Sequence, residues 1–120
     1  MAQQFESLHQ QALFTWAGYQ ECIFPVLKLL HHIPNGGKRD EKTARKLKRE
    51  GVKAGVPDVF LPSARGEHHG LYIEMKFGTN KPTKEQKEFI RLLKEENYKV
   101  EVCYHWLEAR DIIVNYLEGK

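Results

Sequence analysis

The chain is short of several things that would decide its class at once. It has only two cysteines, Cys22 and Cys103, far apart and in no metal-ligand spacing. That leaves no framework for a disulfide-stapled domain or a cysteine-built zinc module. Both are expected to be free thiols of the core in a reducing cytoplasm. No apolar run approaches the length of a membrane span, and the first ten residues, MAQQFESLHQ, lack a basic-then-apolar secretory pattern. The expectation is a cytoplasmic protein with no membrane attachment. Internal repeats, low-complexity tracts and linkers are missing too, and 120 residues make one domain, 1–120, with a single core. The net charge is only +3, so the average says little about partners.

The distribution of that charge says more. Lys38, Arg39, Lys42, Arg45, Lys46, Lys48, Arg49 and Lys53 crowd into one segment, opposed there only by Asp40, Glu41 and Glu50. Such a run suits a phosphate backbone. A solvated helix face is the commoner fate of a charge run, but this one lies just upstream of a group of carboxylates, which favours nucleic acid. Lys38, Arg39, Lys42, Arg45, Lys46, Arg49 and Lys53 are the candidate DNA contacts.

The most informative stretch is 51–76, GVKAGVPDVFLPSARGEHHGLYIEMK. Two short apolar runs, at 59–61 and 71–73, flank a polar, glycine-containing link, the pattern of a β-hairpin. Asp58 stands at the start of the first strand, and Glu74 and Lys76 at the end of the second. Side chains alternate along a strand, so Glu74 and Lys76 share a face while Met75 points to the other. If the hairpin pairs Asp58 beside Glu74, two carboxylates and one ammonium meet. Adjacent carboxylates raise each other's pKa unless a cation offsets their charge. Oxygen-only ligands favour Mg²⁺ or Mn²⁺ over zinc. Such an ion acidifies water and stabilises charge on a phosphoryl oxygen, while Lys76 can orient the water. Taken alone, Glu74 and Lys76 also fit a plain solvated strand face, and Pro57-Asp58 an ordinary turn.

Around the hairpin the periodicity predicts helices. Phe5, Leu8, Ala12, Leu13 and Trp16 give an amphipathic first helix with one buried stripe. On it Glu6 and Gln10 are i, i+4 neighbours, and Glu6 is most simply a first-turn acid complementing the helix dipole. Residues 26–33 read as a short helix or a strand, and 34–37 as a turn by composition. Residues 41–50 form a helix with Asp40 as N-cap and only Ala44 and Leu47 as an apolar seam. Thr83 with Gln86 makes a capping box for a helix carrying Phe89, Ile90, Leu92 and Leu93. Lys81, Lys84 and Lys87 on or before it offer phosphate contacts or simple solubility. Residues 99–104 alternate as a strand, and 106–117 close the chain as a helix with Ala109, Ile112, Ile113, Tyr116 and Leu117 on one face. The doublets His31-His32 and His68-His69 have no structural zinc spacing. A doublet on a strand also points its rings to opposite faces.

These residues together resemble the virus-type replication-repair nuclease (VRR-NUC) branch of the PD-(D/E)xK nuclease superfamily. The likeness is carried by Glu6 with Gln10, by IPNGGKR at 33–39, GVKAGVPD at 51–58, YIEMK at 72–76 and by Gln86, and it runs over about residues 6–117. Several spaced motifs in order are far more specific than one short pattern.

The resemblance implies an α/β fold with a restriction-endonuclease-like αβββαβ core, a mixed central sheet flanked by helices. It implies metal-dependent hydrolysis of DNA phosphodiesters with Mg²⁺, for which Mn²⁺ can substitute. Asp58 and Glu74 would be direct metal ligands, the Met75 carbonyl a third, and Lys76 the group that orients or activates the attacking water. Glu6 would be an accessory acid, direct or through water, and Gln86 would help position water or substrate. Stand-alone members look like four-way (Holliday) junction resolvases acting as homodimers, so branched DNA and a second copy are the expected partners. The chain is nearly bare catalytic domain, so substrate selection is expected from dimer geometry or a partner. Flap- or nick-directed cutting, and a non-catalytic nucleic-acid-binding module on the same fold, are the rival readings.

Overall fold

The computed structural model describes residues 2–34 and 40–120. Lys38 and Arg39, and residues 35–37 of the expected turn, lie outside the described residues. The elements run α1 (Ala2–Gln20), a short 3-10 helix (Pro25–Leu29), β1 (His31–His32), α2 (Glu41–Arg49), β2 (Val59–Leu61), β3 (Leu71–Met75), α3 (Lys84–Glu95), β4 (Lys99–Cys103) and α4 (Trp106–Glu118).

The strands form one sheet in the order β1-β2-β3-β4. The β1–β2 and β2–β3 pairs are antiparallel and β3–β4 is parallel, as a crossover through α3 requires. The mixed sheet flanked by helices is the fold class expected, with α2 set between the first two strands of the core. Residues 26–33, open between helix and strand, form both in turn: Pro25 starts the 3-10 helix and β1 follows it.

One face of the sheet makes the core. Val59, Leu61, Leu71, Ile73, Met75 and Cys103 pack there with Leu13 and Ala17 of α1 and Ala109, Ile113 and Tyr116 of α4. The two outer helices also pack on one another. The Tyr116 hydroxyl donates to the Ser63 carbonyl at 2.6 Å, so its polar tip is satisfied within the core.

Three expectations need correction. The stripe on α1 is not buried along its whole length: Leu13 and Ala17 are core, but Phe5 and Leu8 are 42% and 52% exposed. Phe5 instead stacks on Phe77, just past the end of β3, at 4.8 Å. Because α1 starts at Ala2, Glu6 is not in its first turn and the dipole reading fails. Of the two thiols only Cys103 is in the core, its pKa pushed up to about 12 by burial, whereas Cys22 is exposed at the end of α1.

Candidate nuclease site

The hairpin pairs in the register that brings the acids together. Val59 faces Ile73, Phe60 faces Tyr72 and Leu61 faces Leu71. One step further sets Asp58 opposite Glu74. The Asp58 side chain continues the pairing just before β2 begins: its Oδ2 accepts from the Met75 backbone N–H at 2.8 Å. Its carbonyl is held as well, accepting from the Ile33 N–H at 2.6 Å and from the His32 ring at Nδ1, 2.9 Å away. Asp58 is therefore tied to both neighbouring strands, β1 and β3, before any ligand is considered.

Glu74 is only 2% exposed. Its Oε2 accepts from Gln86 Nε2 at 2.8 Å and lies 3.4 Å from Lys76 Nζ. Its Oε1 is buried with no partner. A bare carboxylate oxygen in such a place is costly, because nothing replaces the water it lost. Burial first, and then the neighbouring Asp58 charge, push the Glu74 carboxyl up to about 7. Asp58 is also raised, chiefly by burial, with the Met75 N–H, His32 and Lys76 pulling the other way. The lone ammonium does not relieve the pair. Met75 contributes by its backbone only, since its side chain is buried in the core.

Gln86 closes the capping box and also reaches Glu74. Its Oε1 accepts from the Thr83 N–H at 2.8 Å while the Thr83 hydroxyl accepts from its N–H at 3.1 Å, closing the capping box. The amide nitrogen, left over from capping, reaches Glu74. What brings α3 to this point is Gly55. It has φ +93°, and a Cβ there would stand 2.5 Å from the Glu85 carbonyl oxygen. No side chain fits, so the loop leading to Asp58 seats directly on the first turn of α3.

The other expected site residues fall elsewhere. Glu6 is half-buried on α1. Its helical neighbours Phe5 and His9 pack on Phe77, one residue past Lys76, which brings this part of α1 close to the end of β3. Among the described residues, however, no three His, Cys, Asp or Glu side chains are arranged to hold a metal ion, so Glu6 does not complete a cluster with Asp58 and Glu74. Lys42, Arg45, Lys46 and Arg49 are exposed on α2, which buries no side chain, and Arg45 pairs with Glu41 at 3.6 Å. Lys53 is exposed in the loop that follows. Lys38 and Arg39 lie outside the described residues. His32 is the site neighbour that sequence reasoning missed. Its only signal was its place on the strand before the hairpin, since the pairing of β1 with β2 sets it next to Asp58.

Two carboxylates, an unpartnered buried carboxylate oxygen and an amide and ammonium on the remaining oxygen fit a hard divalent cation, which takes one or two protein carboxylates and fills its other positions from water or substrate. No helix of the described residues is long and apolar enough to cross a membrane. No curated protein matches the chain. The VRR-NUC domain model matches residues 6–106. A solved structure described as a VRR_NUC domain protein superposes with a TM-score of 0.81 at 35% identity, over 94% of this chain and 88% of that one. With the fold, the register and both comparisons in agreement, this chain belongs to the VRR-NUC domain family, a nuclease-fold family of nucleic-acid processing.

Proposed function

We propose that this domain is a Mg²⁺-dependent DNA endonuclease that hydrolyses phosphodiester bonds in branched DNA, four-way junctions first among them, and works as a homodimer. The observation that carries the proposal is the pairing of Asp58 with Glu74 while Glu74 Oε1 is left buried without a partner. A carboxylate held this way has reason to exist if a cation completes it. Asp58, Glu74 and the Met75 carbonyl would hold the ion. When bound, Mg²⁺ or Mn²⁺ supplies positive charge against the phosphate and makes water more acidic.

The chain's own groups do the rest. Gln86 fixes one Glu74 oxygen from the side of α3, and the other, left without a partner, would meet the ion. The Met75 N–H fixes Asp58 in the same way. Lys76, 3.4 Å from Glu74, would steady the attacking water and offset the charge that grows as phosphorus gains a fifth oxygen. Hydrolysis then leaves a phosphate monoester on one fragment and a hydroxyl on the other. The exposed cations of α2 would hold the duplex backbone through counterion release, which is independent of sequence. The branched substrate and the dimer rest on the family likeness, together with the match between a two-fold junction and two copies of one site.

The test is a panel of labelled flap, fork, nicked, four-way and fully paired DNA, with Mg²⁺, with Mn²⁺ and with chelator. Metal-dependent cutting that is strongest on the four-way substrate supports the reading. Binding with no cutting of any substrate would leave a nucleic-acid-binding module in its place.

A further inference from the structure

The sheet face that carries the two acids continues as a face of rings. Alternation puts Phe60 two residues beyond Asp58 and Tyr72 two residues before Glu74, all on one side, and the register sets Phe60 opposite Tyr72. Their rings stack with centroids 4.2 Å apart and planes 15° from parallel. Tyr98 stands edge-on to both, at 6.0 Å and 5.4 Å. His31 and His69 close the two ends, 5.7 Å from Phe60 and 5.9 Å from Tyr98. Gly70 makes the space, because a Cβ there would come within 2.9 Å of the Phe60 ring.

This face differs from the opposite one in kind. The core face is aliphatic and sealed, with Val59, Leu61, Leu71 and Ile73 at 1% exposure or less. The ring face is half-buried at Phe60, Tyr72 and Tyr98 and open at both histidines. Among the described elements, α3 packs on β4 and reaches Glu74 of β3 through Gln86, while Phe60, Tyr72 and Tyr98 remain partly exposed beside it. A strand whose phosphate lies at Asp58 and Glu74 has these rings close by, since they begin two residues away on the same face. Aromatic side chains attract nucleobases through their π-faces with little regard to sequence. A base inside a duplex already has both its faces covered by its neighbours, so only an unpaired base can use such a surface.

We propose that Phe60, Tyr72 and Tyr98 form a docking face for an unpaired nucleobase of the strand that enters the acid site. This rests on the nuclease reading and deepens it: the rings select DNA whose bases come unpaired next to the cut, as at a branch point, over continuous duplex. The face also answers how one small domain tells a branch from a duplex, which the sequence-independent cations of α2 cannot do.

The test places 2-aminopurine at successive positions on the unpaired side of a duplex–single-strand boundary and follows its fluorescence on binding in Ca²⁺. The same DNAs are cut in Mg²⁺ alongside a fully paired control. Quenching at one or two adjacent positions is expected with the wild type and with Tyr72→Phe, which keeps the ring. It should be lost in Tyr72→Leu and reduced in Tyr98→Leu, both of which keep apolar bulk so that the fold is retained, as a thermal melt checks. In Tyr72→Leu the ratio of cutting at unpaired junctions to cutting of paired control should fall about ten-fold, the scale of removing one base–aromatic stack. Quenching or a cutting ratio unchanged in both leucine variants overturns the proposal. So does DNA cutting by a wild type that quenches at no position. If the leucine variants instead turn a dimer into a monomer by light scattering while quenching is absent throughout, the face is an interface between copies and the proposal fails. Quenching with no cutting of any DNA would defeat the nuclease reading and leave the docking face standing.

Discussion

The acid site and helix α2 are both rich in charge, yet they are built in opposite ways. Asp58 and Glu74 are fixed by strand register, by the Met75 N–H and by Gln86, and Glu74 is sealed to 2% exposure. The cations of α2 are exposed, and the helix buries nothing. In the first region charge is expensive and its geometry is fixed by hydrogen bonds and strand register. In the second it is cheap, screened and adjustable. A phosphate backbone can be held by the second kind of surface. Chemistry at one bond needs the first.

The sharpest way to break this comparison is to change one group in the fixed region. Lys76→Ala should lower the cleavage rate by roughly 10²–10³-fold, in line with removal of one preorganised charge at a transition state, while binding of the same DNA stays within about two-fold. Single-turnover cleavage alongside a binding titration reads both, and equal losses in the two would place Lys76 with the binding surface instead. Gly55→Ala comes next. A strained φ and a Cβ driven against the Glu85 carbonyl should cost roughly 1–3 kcal/mol of stability, read from denaturant unfolding. The loss should exceed that at Gly51→Ala, where φ is also positive but nothing lies within 4 Å.

A pH titration sharpens the contrast further. Glu74 is raised to about 7 in the folded protein without metal, so its protonated form is favoured by folding. That contribution is fully present below its unfolded pKa, near 4.5, and is lost as pH rises through about 7. The metal-free melting temperature should therefore fall over this window. Glu74→Gln should flatten the slope, and a slope identical in the variant would contradict the assignment. The smallest effect belongs to α2. Neutralising Arg45 and Arg49 together should weaken DNA binding and reduce the slope of log affinity against log salt by about 0.9 for each phosphate no longer neutralised. An unchanged slope would take this helix off the DNA.

The hairpin and its acids were legible because a strand has period two: once 58–61 and 71–76 are strands, the positions of Asp58, Glu74, Met75 and Lys76 follow. The capping box on Thr83 and the N-cap Asp40 were equally local. What escaped depended on the meeting of distant segments. Nothing near Gln86 in sequence says that Gly55 brings its helix to Glu74. Helical periodicity put Phe5 and Leu8 on the apolar stripe of α1 but could not say how much of that stripe is covered, and both are exposed. Taken alone, Glu6 looked like a first-turn acid because the start of a helix is blurred in sequence, and only the family likeness made it an accessory acid. His32 reaches Asp58 only through the pairing of β1 with β2.

Everything rests on whether Asp58 and Glu74 trap a cation between them. Calorimetric titration of Mn²⁺ into the DNA-free protein tests that directly. Saturable binding by the wild type, weakened by about ten-fold or more in Glu74→Gln and in Asp58→Asn, is the result expected; binding that both variants keep unchanged, or none in the wild type, would contradict it.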